Sequence, residues 1–143
     1  MDKELQKQLF IRFPWTEYKD SKTGHGAGHS VYFACGEGWF QLIWNMLEEI
    51  EQHYKQNNAD INTLIIIDIK EKYGGLRFYV SNVIHDTHDI ILKYESKSET
   101  ICDICGEQGR LHEKNGWIRV LCSKCAEEEG YKGLGRWIKK SIY

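Results

Sequence analysis

The clearest periodic pattern in the chain lies between residues 39 and 56. Apolar side chains recur there at intervals of three and four residues, while acidic and amide side chains take most positions between them. The apolar set is Trp39, Phe40, Ile43, Met46, Leu47, Ile50 and Tyr54. This spacing places the set on one face of an α-helix. We therefore predict a helix over residues 39–56 whose apolar face packs in the core.

A β pattern follows this helix. Residues 64–69 and 76–80 are rich in β-branched and aromatic side chains, and a glycine pair at 74–75 lies between them. Such composition around glycines predicts a β-hairpin that turns near the pair. A two-stranded hairpin is marginally stable alone. We expect it to pack on the 39–56 helix, with residues 31–34 as a candidate third strand.

Three further segments have apolar side chains at helical spacing. Residues 3–12 predict a short amphipathic helix that ends before Pro14, because the residue before a proline avoids helical geometry. Residues 83–97 predict another helix. Residues 131–143 predict a C-terminal helix that packs back on the rest of the protein.

Four cysteines are arranged as two C-x2-C pairs separated by sixteen residues: Cys102, Cys105, Cys122 and Cys125. This spacing suits one Zn²⁺ ion held by four thiolates in tetrahedral geometry. Four protein ligands fill the coordination shell, so no position remains for an activated water. The sequence therefore predicts a structural and not a catalytic zinc site. Two disulfides or four unpaired thiols are the alternatives.

The residues around the cysteines predict the local fold of this zinc module. Gly106 follows the first pair, where a tight turn needs a residue that tolerates positive φ. Asn115 and Gly116 lie between two short β-like runs and predict a second hairpin. The acidic run after Cys125 is typical of the first turns of a helix. This order of elements is that of a treble-clef zinc finger, and other small zinc ribbons are the alternative.

Together these elements predict an α+β protein in which helices pack on a small antiparallel hairpin or sheet, followed by a four-cysteine, treble-clef-like zinc module. We divide it into an α+β body, residues 1–100, and the zinc module with its C-terminal helix, residues 101–143. Neither a proline nor a glycine-rich linker separates the two parts. We therefore expect the module to dock on the body.

Composition excludes two classes of protein. With 41% hydrophobic and 13% aromatic residues, the chain is typical of a globular and not of a disordered protein. It lacks an apolar stretch near the ~18 residues of a membrane span, and its N-terminus lacks a signal-peptide core. We expect a cytoplasmic protein, since metal-binding thiols suit a reducing compartment. Cys35, the fifth cysteine, is expected to be a buried apolar residue.

The histidines predict no second site. His25 and His29 lie in a glycine-rich stretch that lacks the flanking strand, helix and lysine of a phosphate-binding loop, so we predict a flexible loop there. His85 and His88 are three residues apart and could share a helix face. Without a third ligand in view, we expect them to be exposed to solvent.

Several motifs together point to a family. They are Gly36-Glu37-Gly38-Trp39-Phe40, the run Lys70-Glu71-Lys72-Tyr73-Gly74-Gly75-Leu76-Arg77-Phe78-Tyr79, and Cys102-x2-Cys105-Gly106 with Gly116-Trp117-Ile118 before Leu121-Cys122. In order and spacing this combination resembles a family of small, largely uncharacterised zinc-binding proteins of bacteriophages and prophages, over about residues 30–126. The resemblance implies an accessory protein that works in the cytoplasm of the infected bacterium. It implies no reaction and no catalytic residue.

Our first functional hypothesis is a non-enzymatic protein that binds a host protein, for example a defence enzyme to be inhibited. The rigid zinc module would present its hairpin and its basic end to that partner. The net charge of the chain is −2 at pH 7, yet its last thirteen residues carry four cations and no acid. The candidate partner contacts are Trp117, Arg119, Lys132, Arg136, Lys139 and Lys140.

Two other functions remain open. Nucleic-acid binding would use basic residues of the zinc module, with Lys114 and Lys124 added to the cations above. The acidic triplet 127–129 and the negative net charge oppose it. An HNH-type endonuclease would use His112 as general base on the hairpin beside a divalent metal with open positions. Such a site also needs a His, Asn or Asp ligand on the helix, where this chain has cysteines already assigned to zinc.

Overall fold

The computed structural model describes residues 1–17 and 32–134, and it confirms the predicted α+β class. The helices are α1 (Lys3–Arg12), α2 (Phe40–Gln56), α3 (Thr87–Ser98) and α4 (Ser123–Glu129). The strands are β1 (Phe33–Ala34), β2 (Ile65–Lys72), β3 (Gly75–Ser81), β4 (Arg110–Lys114), β5 (Trp117–Leu121) and β6 (Lys132–Gly133).

The first sheet has the strand order β1-β2-β3. Strands β2 and β3 form the predicted antiparallel hairpin, which turns at Tyr73 and Gly74, both with positive φ. Strand β1 pairs with β2 in parallel, with Phe33 opposite Ile69, a direction for which we made no prediction. The reason for the parallel direction is the connection: α2 lies between β1 and β2, and a helical crossover brings the second strand back parallel to the first.

The second sheet has the order β5-β4-β6. Strands β4 and β5 form the hairpin predicted from Asn115 and Gly116, both of which have positive φ. Strand β6 pairs with β4, so the predicted C-terminal helix is wrong for residues 131–134. Gly130, at φ +76°, ends α4 and turns the chain back along β4. The rest of that predicted helix, residues 135–143, lies outside the described residues.

The other helices match their predictions to different degrees. Helix α1 has the predicted bounds, and α2 begins one residue later than predicted, after a 3₁₀ turn at Glu37–Trp39. Helix α3 begins at Thr87, so the predicted start at residue 83 is wrong. Asp86 has left-handed backbone geometry, φ +65°, which breaks the helix on its N-terminal side.

The main apolar core lies between α2 and the first sheet. From the predicted stripe, α2 buries Ile43, Met46, Leu47, Ile50 and Tyr54, whereas Phe40 is half-buried; Leu42, which was not predicted, is buried as well. The same apolar cluster includes Leu111 of β4 and Val120 of β5. It therefore runs without a break from the helices into the zinc module. The boundary drawn at residue 100 stays a prediction.

Candidate metal centre

The four cysteines of the two C-x2-C pairs come together at one point. Cys102 and Cys105 lie in the turn before β4, Cys122 directly follows β5, and Cys125 lies in the first turn of α4. Their four sulfur atoms all lie within 4.8 Å of one another. These cysteines are therefore positioned to bind a single metal ion, in agreement with a tetrahedral thiolate site.

Backbone hydrogen bonds hold the first pair in its turn. The N–H of Gly106 donates to the carbonyl of Cys102 at 3.0 Å, and the N–H of Cys102 donates to the carbonyl of Glu107 at 2.7 Å. Gly106 has φ +81°, the left-handed geometry predicted for this position. A turn closed in this way directs both side chains of the pair to one side.

The second pair is held by the N-terminus of α4. Cys122 caps this helix, and the backbone N–H of Cys125 donates to its Sγ at 3.4 Å. That hydrogen bond lowers the pKa of Cys122 to about 7. The lowered pKa favours the thiolate of Cys122, which is the form that binds metals.

A disulfide does not fit this geometry. The sulfurs of Cys105 and Cys122 lie 3.7 Å apart, far beyond the ~2.05 Å of a disulfide bond. Burial raises the pKa of Cys125, so without a cation between the sulfurs this thiol would stay protonated. A bound metal ion favours the thiolate instead. The donor set therefore fits a thiophilic metal.

Asp103 and Arg119 brace the first pair against β5. Arg119 donates from Nε and Nη2 to the two carboxylate oxygens of Asp103, at 3.0 and 2.7 Å. Asp103 is only 3% exposed. Burial raises the pKa of its carboxyl, and the hydrogen bonds from Arg119 oppose that rise. This pair was not predictable from the sequence, since its members are sixteen residues apart and belong to different elements.

The segment before α2 packs directly on the cysteine turn. The N–H of Gly38 donates to the carbonyl of Asp103 at 2.9 Å, and Nε1 of Trp39 donates to the carbonyl of Ile101 at 2.8 Å. A Cβ atom on Gly38 would lie 2.1 Å from the carbonyl oxygen of Cys102. Only glycine fits there, and this explains why the two motifs occur in one chain.

The turn of the first hairpin also packs against strands β4 and β5 of the second. A Cβ atom on Gly74 would lie 2.7 Å from a methyl carbon of Leu111 and 3.0 Å from one of Ile118. Beside this contact is a cleft of about 550 Å³, lined by residues 71–73 and 115–118. Its rim carries the exposed rings of Tyr73 and Trp117, which are 60% and 74% exposed.

The candidate partner contacts fall into three groups. Trp117 and Lys132 are exposed. Arg119 is half-buried and held by Asp103. The remaining three lie outside the described residues: Arg136, Lys139 and Lys140.

Two further cations were predicted to contact nucleic acid. Lys114 donates to the carbonyl of Glu129 at 2.9 Å and so fastens the hairpin to the end of α4. Lys124 is exposed on the first turn of α4.

The other residues that we considered lie away from the cysteines or outside the described part. His112 is 4% exposed, and its Nδ1 is 2.8 Å from the carbonyl oxygen of Arg110. Cys35 is buried as expected, and burial raises its pKa to about 12. His85 and His88 are exposed as expected. The loop with His25 and His29 lies outside residues 1–17 and 32–134.

Comparison of the chain with protein-family models, with curated proteins and with solved structures finds no significant match. Among the described residues, no helix is both long enough and apolar enough to cross a membrane.

Proposed function

We propose that the four cysteines hold one zinc ion, and that this ion is structural. The observation that carries the proposal is the convergence of the four sulfurs within 4.8 Å. A tetrahedral set of four thiolates favours zinc or iron, and C-x2-C spacing on a turn and a helix is typical of zinc. Four thiolates fill the shell, so the ion offers no open position to a substrate or a water.

We propose that the protein acts by binding and not by catalysis. Zinc coordination contributes folding free energy on the order of 10 kcal/mol in small modules, and here it would fix the β4–β5 hairpin on the body. Trp117 stands at the tip of that hairpin and is 74% exposed. Exposed tryptophans are frequent anchors of protein interfaces, so Trp117 is the contact we assign to a partner.

The partner class follows from the resemblance to bacteriophage proteins. On that basis the chain is an accessory protein in the cytoplasm of an infected bacterium, its partner is a host protein, and inhibition of a host defence enzyme is one consistent role. The cleft beside Trp117 supports the proposal, because it gives a partner side chain a recess next to an exposed ring.

The test is affinity purification of the tagged protein from its bacterial host, with and without nuclease, followed by mass spectrometry. The proposal predicts one near-stoichiometric host protein that survives nuclease and is lost with Trp117→Ala. Leu92→Ala is the matched control, since Leu92 is exposed on α3, and it should retain the partner. Recovery of nucleic acid with no nuclease-resistant protein would contradict the proposal.

The endonuclease alternative has a direct test of its own. The burial of His112 supports a packing role, because a general base must reach a water or a substrate. The purified protein with Mg²⁺ should therefore leave plasmid DNA intact. Cleavage that is abolished by His112→Ala would overturn the non-enzymatic proposal.

A further inference from the structure

The outer face of the first sheet combines cations and aromatic rings. Strand pairing places Ile69 opposite Phe78 and Lys70 opposite Arg77. Ile69 and Phe78 are buried in the core, so by strand alternation Lys70 and Arg77 point to the opposite side. We call the cations and aromatic rings on that side and at its turn the basic-aromatic face; they are Lys70, Lys72, Tyr73, Arg77 and Tyr79.

Cations and rings are paired on this face. Nζ of Lys70 lies 5.7 Å from the ring centre of Tyr79, and Nζ of Lys72 lies 5.8 Å from that of Tyr73. The rings remain accessible, with Tyr79 38% and Tyr73 60% exposed. Each ring is therefore partly exposed to solvent and has an ammonium group over it.

The charge of the face has the opposite sign to that of the whole chain. Three cations stand there against one acid, Asp68, whose carboxylate lies 3.1 Å from Nζ of Lys70. The net charge of the chain is −2, so this local excess of cations is not a general property of the protein. A local positive field attracts an anionic ligand.

We propose that the basic-aromatic face binds single-stranded nucleic acid. Unpaired bases would stack on Tyr79 and Tyr73, and the phosphates between them would contact Lys70, Lys72 and Arg77. Alternating rings and cations are the recognition mode of sequence-tolerant single-strand binding. A duplex cannot use it, because its bases are already stacked on each other. This activity goes beyond the proposed protein-binding function, and it centres on Tyr79 and the cations beside it, while Lys72 and Tyr73 also line the cleft next to Trp117.

The experiment is fluorescence anisotropy with a fluorescein-labelled 15-nucleotide oligothymidylate at 50 and 200 mM salt, and with a labelled duplex of the same length. The proposal predicts saturable binding of the single strand, weakened by salt, and weaker binding of the duplex. Tyr79→Ala should weaken binding roughly 5- to 150-fold, the usual cost of losing one stacked base. Tyr79→Phe should retain it.

Two controls locate the site. Lys72→Gln should make the negative slope of log K against log salt shallower by about 0.7, as expected for one lost phosphate contact on a single strand. Lys124→Gln removes a cation from the zinc module and should leave the slope unchanged. Tyr32→Ala removes an exposed ring outside the face and should leave affinity unchanged.

Three results would overturn the proposal. They are no binding of the single strand at 50 mM salt, equal or tighter binding of the duplex, and a loss of affinity with Lys124→Gln that matches the loss with the face variants. The first result would show that the basic-aromatic face does not bind single-stranded nucleic acid. The last would move the nucleic-acid site to the zinc module.

Discussion

Arg119 on β5 holds the buried carboxylate of Asp103 with two hydrogen bonds, at 3.0 and 2.7 Å. Asp103 lies between the first two cysteines, and its backbone N–H donates to the carbonyl of Val120 at 2.9 Å. The pair therefore links the turn that carries Cys102 and Cys105 to the strand that leads to Cys122. Through this link the two cysteine pairs are held in a fixed position relative to each other.

Removal of Arg119 should be costly, because it leaves the Asp103 carboxylate buried without a partner. We expect Arg119→Ala to lower the free energy of unfolding by about 3–5 kcal/mol. Arg119→Lys should recover only part of this, since an ammonium cannot bind both oxygens in parallel. Urea denaturation with saturating zinc gives the values. Lys124→Ala is the control for an exposed cation of the same module, and a loss no larger than the control's would contradict the assigned role.

Gly38 should tolerate no side chain. Its Cβ would lie 2.1 Å from the Cys102 carbonyl oxygen and 2.7 Å from the Gly106 nitrogen, and backbone atoms cannot move aside. Gly38→Ala should therefore cost at least about 3 kcal/mol and weaken zinc binding, measured by competition with a chelating dye. Gly116 has positive φ and meets nothing within 4 Å, so Gly116→Ala should cost only about 1–2 kcal/mol. Equal costs would show that crowding at the cysteine turn is not the cause.

Helix α3 supplies hydrogen-bond acceptors to the edge of β3. Oγ of Ser98 accepts from the N–H of Leu76 at 2.9 Å, and Oε2 of Glu95 accepts from the N–H of Phe78 at 2.8 Å. Ser98→Ala should lower the unfolding free energy by about 1–3 kcal/mol, because it leaves a buried N–H without a partner. Ser96 is exposed on the same helix, and Ser96→Ala should have little effect. Indistinguishable denaturation midpoints for the two variants would refute this account.

Glu71 should make stability depend on pH. Burial raises the pKa of its carboxyl above the usual 4.5, although the hydrogen bond from the Gly74 N–H opposes the rise. The folded state therefore keeps this proton to a higher pH than the unfolded chain does. Its stabilising contribution is present below about pH 4.5 and is lost as pH rises through the folded pKa.

Comparison with Glu71→Gln isolates this effect, since the amide does not titrate. The unfolding free energy of the wild type minus that of the variant should fall as pH increases from 5 to 7.5. Both proteins are measured with saturating zinc, so that proton competition at the cysteines cancels. A difference that is constant or that grows with pH would contradict the raised pKa.

Local patterns were sufficient to predict several elements. The stripe from Trp39 to Tyr54 predicted α2, and the glycine and asparagine turns predicted both hairpins, because periodicity and turn chemistry depend on neighbouring residues. The spacing of the two C-x2-C pairs predicted the convergence of the four sulfurs, because it matches a recognised metal-binding motif. These features involve residues close in sequence or spaced by one recognised motif.

Tertiary relationships were not predictable in this way. The parallel pairing of Phe33 with Ile69 depends on the path of α2. The contact of Gly38 with the cysteine turn and the Asp103–Arg119 pair each join elements that are separated along the sequence. The C-terminal segment had helical spacing, yet residues 132 and 133 pair with β4, since backbone hydrogen bonds at a free strand edge outweighed a weak helix preference.

The most direct test of the central claim is native mass spectrometry of the purified protein before and after chelation, with the melting temperature recorded in parallel. We predict one zinc ion per chain, and chelation or Cys102→Ser should remove it and lower the melting temperature sharply. Cys35→Ala should leave the zinc in place, because Cys35 is not among the clustered cysteines. A protein that lacks zinc as purified, or that keeps its melting temperature after the metal is removed, would contradict a structural zinc site.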